Sequence, residues 1–281
     1  MKEEVSLENL KQVCFFARIL VTLQTENEER DKMRVCIVQH DIVWENPAEN
    51  LRRMDDLLDK APQADLYVLA EMWTTGFGIE RFPDADEALT WMQHKARKMN
   101  AALVGSVAVE DNGKRFNRAL FVKPDGEVEY YNKRHLFAPG GEKDNFAAGN
   151  ERTVVEWGGV RFLLQVCYDL RFPVFSRNCE DYDAAIYVAN WPVARMEVWN
   201  VLLRARAIEN QCFVIGVNRV GSDPNVEYEG GSMVVDAYGK VVAECGRGTE
   251  GFAVCDLDME RLQAFREKFP VLKDRDNFTI L

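Results

Sequence analysis

The chain has 281 residues, of which 47% are apolar and 11% aromatic, enough to bury a large core in one big α/β domain or two small ones. Acidic residues outnumber basic ones by 46 to 35, a net charge of −11 at pH 7; that field repels phosphate backbones and anionic lipid and argues against nucleic acid or a membrane surface as partner. No run of eighteen apolar residues occurs, so no segment reads as a transmembrane helix. Seven cysteines, at positions 14, 36, 167, 179, 212, 245 and 255, are odd in number and contain no close C-x-x-C pair, which fits neither a disulfide framework nor a zinc knuckle and points to a reducing cytoplasm. The three histidines, His40, His94 and His135, lack the i, i+3 or i, i+4 spacing of a ligand pair, so no metal site is expected.

Residues 1–32 read differently from the rest, with an acidic start, an apolar patch at Cys14-Phe15-Phe16 and the charged tract ENEERDK. They lack the basic start and small-residue cleavage site of a signal peptide. They are either an added amphipathic helix or an upstream reading of the start codon, and the main domain is expected over 33–281. MRVCIVQHD, from Met33, reads as a first strand. Asn46-Pro47-Ala48-Glu49 combines a capping asparagine, a first-turn proline and a glutamate three after the cap, and Leu51, Met54, Leu57 and Leu58 continue the apolar stripe of a helix over about 47–60. A buried strand is expected over 65–72 (DLYVLAEM), a helix over 86–99 with His94 on its solvent side, and a strand over 101–109. A hairpin from Leu120 to Tyr130 should turn at Pro124-Asp125-Gly126.

Beyond it, RFLLQVCYDLRFP (161–173) is an apolar strand that ends at Cys167 in a polar turn. Strands over 184–188 and 212–217, a helix over 197–210 and a hairpin over 232–243 follow. Both halves thus run strand, helix, strand and late hairpin, a pattern of mixed sheets covered by helices on their outer faces.

Cys167 is the candidate nucleophile, although a cysteine ending an apolar run is more often a small buried hydrophobe. Two ionisable residues share its setting at the exit of an apolar strand: Glu71 after DLYVLA and Lys133 after EYYN. A carboxylate leaving a buried strand is desolvated and becomes a usable base near neutral pH; a thiol gains nucleophilicity from such a base; a fixed cation stabilises an oxyanion. Arg206 and Glu209, three apart on the last long helix, read as an ion pair.

AEMWTTGF around Glu71, YNKRHLF around Lys133 and QVCYDLRFP around Cys167 resemble, in order and spacing, the signature motifs of the nitrilase, or carbon-nitrogen hydrolase, superfamily. The resemblance runs from Met33 to the C-terminus. It implies a four-layer α-β-β-α sandwich, no cofactor, and a catalytic triad of Glu71, Lys133 and Cys167. In HLFAPGGE it assigns Glu142 to positioning the lysine or the attacking water, and it gives the backbone N–H of Tyr168 to the oxyanion hole. MWTTGF, ANWPVARMEVWNVLLRARAIENQ and FPVLKDRDNFTIL look like the omega-amidase branch, which hydrolyses the terminal amide of 2-oxoglutaramate and 2-oxosuccinamate through a thioester. Hydrolysis of a different amide, of a nitrile or of an N-carbamoyl compound competes with that reading, as does a non-catalytic scaffold. Asn190, Trp191, Arg195 and Arg171 are candidate substrate-binding residues on position, with Arg171 equally placed to pair with Asp169 in the turn. The implied partners are a small amide and water, and a homodimer or higher homo-oligomer is expected.

Overall fold

The computed structural model describes residues 32–78 and 85–280; the extension over 1–32 thus lies outside the described residues except for Lys32. In chain order the first half comprises β1 (Met33–Gln39), α1 (Pro47–Leu58), β2 (Leu66–Val68), α2 (Ala85–Met99), β3 (Ala102–Asp111), β4 (Lys114–Val122) and β5 (Val128–Asn132). The second comprises α3 (Glu142–Asn145), β6 (Val154–Trp157), β7 (Val160–Val166), β8 (Ala184–Ala189), α4 (Met196–Asn210), β9 (Phe213–Asn218), β10 (Val220–Ser222), β11 (Glu227–Glu229), β12 (Met233–Val235), β13 (Val241–Glu244), β14 (Gly251–Leu257) and α5 (Met259–Lys268).

Alternation along the strands sets the layers. In β1, Val35 and Ile37 point to one face and Cys36 and Val38 to the other, and all four are fully buried. A strand buried on both faces lies between two layers. Val35 and Ile37 join Val68, Val104, Phe121, Phe162, Leu164, Val166, Ile186 and Ile215 in a core shared by the two sheets. Cys36 and Val38 pack instead with Leu51, Met54 and Leu58 of α1 and Ala88, Met92 and Ala96 of α2. On the far side, Leu163, Ala185 and Tyr187 meet Met196, Trp199, Leu203 and Ala207 of α4. The result is the four-layer α-β-β-α sandwich.

Each of the two layered sheets has six strands, in the orders β14-β1-β2-β3-β4-β5 and β13-β12-β9-β8-β7-β6, and β10 and β11 pair in a separate two-stranded sheet. β1, β2 and β3 run parallel, as do β7, β8 and β9. An antiparallel pair extends each trio on one side, β4-β5 and β12-β13, and a single antiparallel strand, β14 or β6, closes the other. The two halves therefore share one topology without a visible sequence repeat.

Two sequence expectations are corrected. Regular pairing in the 65–72 run is confined to Leu66–Val68, because the chain must leave the sheet to deliver Glu71: Met72 takes a left-handed φ of +45° and its N–H bonds Ser106 Oγ at 2.9 Å. The strand before the Pro124-Asp125-Gly126 turn begins at Lys114, since Asn112 and Gly113, at φ +51° and +71°, close a tight hairpin between β3 and β4. His94 is exposed, as its place on the helical wheel implies.

Leu203 is the best test of the outer layer. It is fully buried, and a Cβ at position 216 would stand 2.5 Å from its Cδ1, so α4 lies directly on the β9 backbone. Leu203→Ala should lower unfolding free energy by about 2–5 kcal/mol in a denaturant titration.

Candidate active site

Glu71, Cys167 and Asn190 follow β2, β7 and β8, at the carboxyl ends of parallel strands where α/β sheets open their binding crevices. Lys133 follows β5, and the backbone fixes it on both sides: its N–H donates to Asn117 O and its carbonyl accepts from Gly149 N–H, each at 2.9 Å. Position 149 takes no side chain there, because a Cβ would lie 2.1 Å from the Asn132 carbonyl oxygen.

Lys133 and Glu71 side chains are wholly buried and meet at 2.8 Å, Nζ to Oε1. Glu142, equally buried, lies 2.9 Å from the same Nζ through Oε2. Asn117 Nδ2 donates to Glu71 Oε1 at 2.8 Å and to Glu142 Oε1 at 3.0 Å. Glu71 Oε2 accepts the Asn190 N–H at 2.8 Å, and Glu142 Oε2 accepts that of Phe137 at 2.6 Å. Two carboxylates thus share one ammonium. Burial opposes the charge on Lys133, but Glu142 and Glu71 outweigh it and hold its pKa above the usual lysine range. Glu142 is raised, by burial and by Glu71, against the pull of Lys133.

Cys167 opens a short 3₁₀ helix, Cys167–Arg171, in a left-handed conformation, φ +46°. A non-glycine residue there is strained and persists only when its surroundings hold it. The thiol faces a cavity of about 760 Å³ that Glu71 and Lys133 also line, and its Sγ lies 3.9 Å from Asn190 O. Burial and the neighbouring Glu71 push its pKa well above 9, while Lys133 pulls the other way. The Tyr168 N–H stands in the first turn of the 3₁₀ helix, ahead of its i→i+3 bonds.

Tyr168, Asn190, Trp191, Arg171 and Arg195 all line this cavity, so the structure brings every substrate-binding candidate to the thiol. Arg171 lies over the Trp191 ring at 5.2 Å and Arg195 over Phe137 at 5.2 Å; neither forms an ion pair with a described residue. The Arg171–Asp169 pair that the turn would allow does not form, because Asp169 is fully occupied by Tyr131, His135 and the Val166 N–H. Arg206 pairs with Glu209 at 2.9 Å as expected, and its other amino group donates to Leu170 O at 2.6 Å, tying α4 to the cysteine turn.

Sequence reasoning missed two buried residues, Asn117 and Asp169. Asparagine is depleted in strands, so its place inside RFNRALF was the available signal for Asn117. For Asp169 the local turn offered a nearer partner, which hid the tertiary one.

Residues 34–267 match the model of the carbon-nitrogen hydrolase family. The chain belongs to this family. This carbon-nitrogen hydrolase is 47% identical to the omega-amidase YafV of Yersinia enterocolitica over 253 residues, covering 89% of this chain and 99% of that one. It is 36% identical over 253 residues to a 2-oxoglutaramate amidase of Bacillus subtilis, with 86% and 97% covered. Among solved structures, XC1258 of Xanthomonas campestris, a CN-hydrolase superfamily protein with an arsenic adduct in its active site, superposes with TM-score 0.86 at 43% identity over 89% of this chain and 99% of that one. A glutamate-to-glutamine mutant of an amidase of Nesterenkonia sp. AN1, with acrylamide added at its active-site cysteine, gives 0.75 at 29% identity over 85% and 98%.

The raised thiol pKa has a measurable sign. At neutral pH the Cys167 side chain rests protonated, so its alkylation by iodoacetamide, followed by peptide mass spectrometry, should keep accelerating as pH rises beyond 9. A rate already level below pH 7 would show a resting thiolate instead.

Proposed function

We propose that this carbon-nitrogen hydrolase releases ammonia from the terminal amide of small dicarboxylate monoamides such as 2-oxoglutaramate and 2-oxosuccinamate. Cys167 Sγ attacks the amide carbon as its proton passes to Glu71. Lys133 Nζ and the Tyr168 N–H hold the oxyanion. Collapse expels ammonia, with Glu71 returning the proton to nitrogen, and leaves a thioester. A water deprotonated by Glu71 then attacks that thioester, and collapse breaks the carbon-sulfur bond, releases the product acid and returns the proton from Glu71 to Cys167 Sγ; Glu142 holds Lys133 in place throughout. The neutral resting thiol suits this sequence, because the base takes the proton during attack rather than before it.

The observation that carries the substrate reading is a pair of guanidiniums, Arg171 and Arg195, that form no ion pair with a described residue and stand in the wall of the cavity that holds the thiol. Lys133 is committed to its two carboxylates, so these arginines are the groups to hold a distal carboxylate. The names of the omega-amidase and 2-oxoglutaramate amidase relatives support the same reading. Succinamate should be hydrolysed with kcat/KM at least about a hundredfold above that of butyramide, its uncharged counterpart. Arg171→Gln or Arg195→Gln should erase that preference more than it slows butyramide, and Cys167→Ala should abolish both activities. Equal kcat/KM for the two amides would replace the reading with a general aliphatic amidase. Faster turnover of a nitrile or an N-carbamoyl amine than of succinamate would replace it with nitrile or carbamoyl hydrolysis.

We also infer a cytoplasmic homo-oligomer. The six described cysteines, all free, are in keeping with a reducing compartment. The outward stripe of α4 carries Val201 and Ile208, each 53% exposed, beside Tyr238, also 53% exposed. Glu197 and Arg204 flank Val201 on that stripe, so antiparallel packing of two α4 helices about Val201 sets Glu197 of each copy against Arg204 of the other. Val201→Glu should convert the sedimenting species to monomer; an unchanged sedimentation coefficient would place the interface elsewhere.

A further inference from the structure

Asp169 is a fully buried carboxylate, and all of its contacts come from donors. Oδ2 accepts the Val166 N–H and the Tyr131 hydroxyl, both at 2.9 Å. Oδ1 accepts the His135 N–H at 3.0 Å and His135 Nδ1 at 2.7 Å. A carboxylate only accepts, so Nδ1 carries the proton in that pair. Two of these donors belong to the strand exit that bears Lys133, one to the strand beneath it, and one to the residue before Cys167. The His135 ring also stacks on Phe172, just past the cysteine turn, at 3.9 Å and 4°. Asp169 thus joins the turn carrying the thiol to the segment carrying the lysine.

We propose that Asp169 is a positioning residue for the amide hydrolysis: through His135 and Tyr131 it sets the distance between Cys167 and Lys133 and holds Cys167 in its left-handed conformation. The inference rests on the assignment of Cys167 as nucleophile. The oxyanion site is built from both segments, the Tyr168 N–H from one and Lys133 Nζ from the other. Loosening the clamp therefore spreads the two donors, while Asn190, Trp191 and Arg195 of the cavity wall, which lie outside the clamped segments, stay in place. The effect falls far more on kcat than on KM, since a displacement of about 1 Å at reacting groups costs on the order of a hundredfold in rate, whereas of the binding groups only Arg171 shares the turn. Asn in place of Asp169 keeps the shape but turns one acceptor oxygen into an amide NH2, itself a donor, facing two donors.

The test measures kcat and KM on succinamate together with the melting temperature. Asp169→Asn should lower kcat at least about tenfold with KM within about twofold of wild type. His135→Leu should do the same, and His135→Asn, whose side-chain amide can donate from the place of Nδ1, should restore most of the loss. Full kcat in folded Asp169→Asn, even with a lowered melting temperature, would make the cluster merely structural and overturn the proposal. Should Asp169→Asn fail to fold, the His135 pair decides: equal kcat in His135→Leu, His135→Asn and wild type overturns it, and loss with rescue supports it. Turnover by Cys167→Ala would overturn the nucleophile assignment itself and is a separate result.

Discussion

The site depends on one costly arrangement, an ammonium shared by two carboxylates in the protein interior. Lys133, Glu71 and Glu142 side chains are all wholly buried. Desolvating three charges costs several kcal/mol each, and one cation cannot neutralise two anions. Apolar side chains of similar volume would serve stability as well or better. Each charge keeps its place only because the others are there: deleting one partner leaves buried charge uncompensated, at a cost of about 3–5 kcal/mol. Asn117 meets part of this cost by donating to both carboxylates from one amide nitrogen. The cluster is therefore a rigid unit, and rigidity is what the proposed base and oxyanion donor need, one acting on the thiol and the other on the substrate oxygen.

The duplicated topology explains how the chain assembles that unit. Each sheet opens a crevice at the carboxyl ends of its parallel trio, and the two sheets pack so that these ends converge. The first half supplies Glu71 and Lys133; the second supplies Cys167, Asn190 and the arginines of the cavity wall. No segment of either half holds a complete site. Contacts that cross between halves, Asn190 N–H to Glu71 and Tyr131 to Asp169, thus stabilise the sandwich and align the reacting groups at once.

Much of this was legible in the sequence because the governing signals are local. Apolar runs fixed most of the strands, the Asn46 cap fixed the start of α1, strand-exit positions made Glu71, Lys133 and Cys167 candidates, and the resemblance of their three motifs to the nitrilase superfamily decided for them. What escaped was set by tertiary geometry. Residues 69–72 look like strand because their side chains are buried, yet only Leu69 N–H and Ala70 O still bond the β3 backbone, and the chain then turns into the site. Asp169 read as a turn residue with Arg171 in reach, whereas the fold turns the carboxylate inward to four donors and leaves the guanidinium on Trp191. Local proximity lost to a buried network that satisfies every lone pair of a desolvated charge.

Electrostatics then ties the fold to the proposed reaction. A chain of net charge −11 does not draw an anion in through its overall field. Attraction must be local, and in the proposed reading Arg171 and Arg195 provide it at the cavity wall while Glu71 and Glu142, two carboxylates to one lysine, stay inside. The amide end of a monoamide is neutral and meets no repulsion there. Hydrolysis changes that: the product carries a new carboxylate where the amide stood, next to Glu71, and the nearest ammonium, Lys133, is already held by two carboxylates. That excess of negative charge disfavours the product once the thioester is cleaved, so in the proposed reaction binding and release are governed by opposite ends of one cavity.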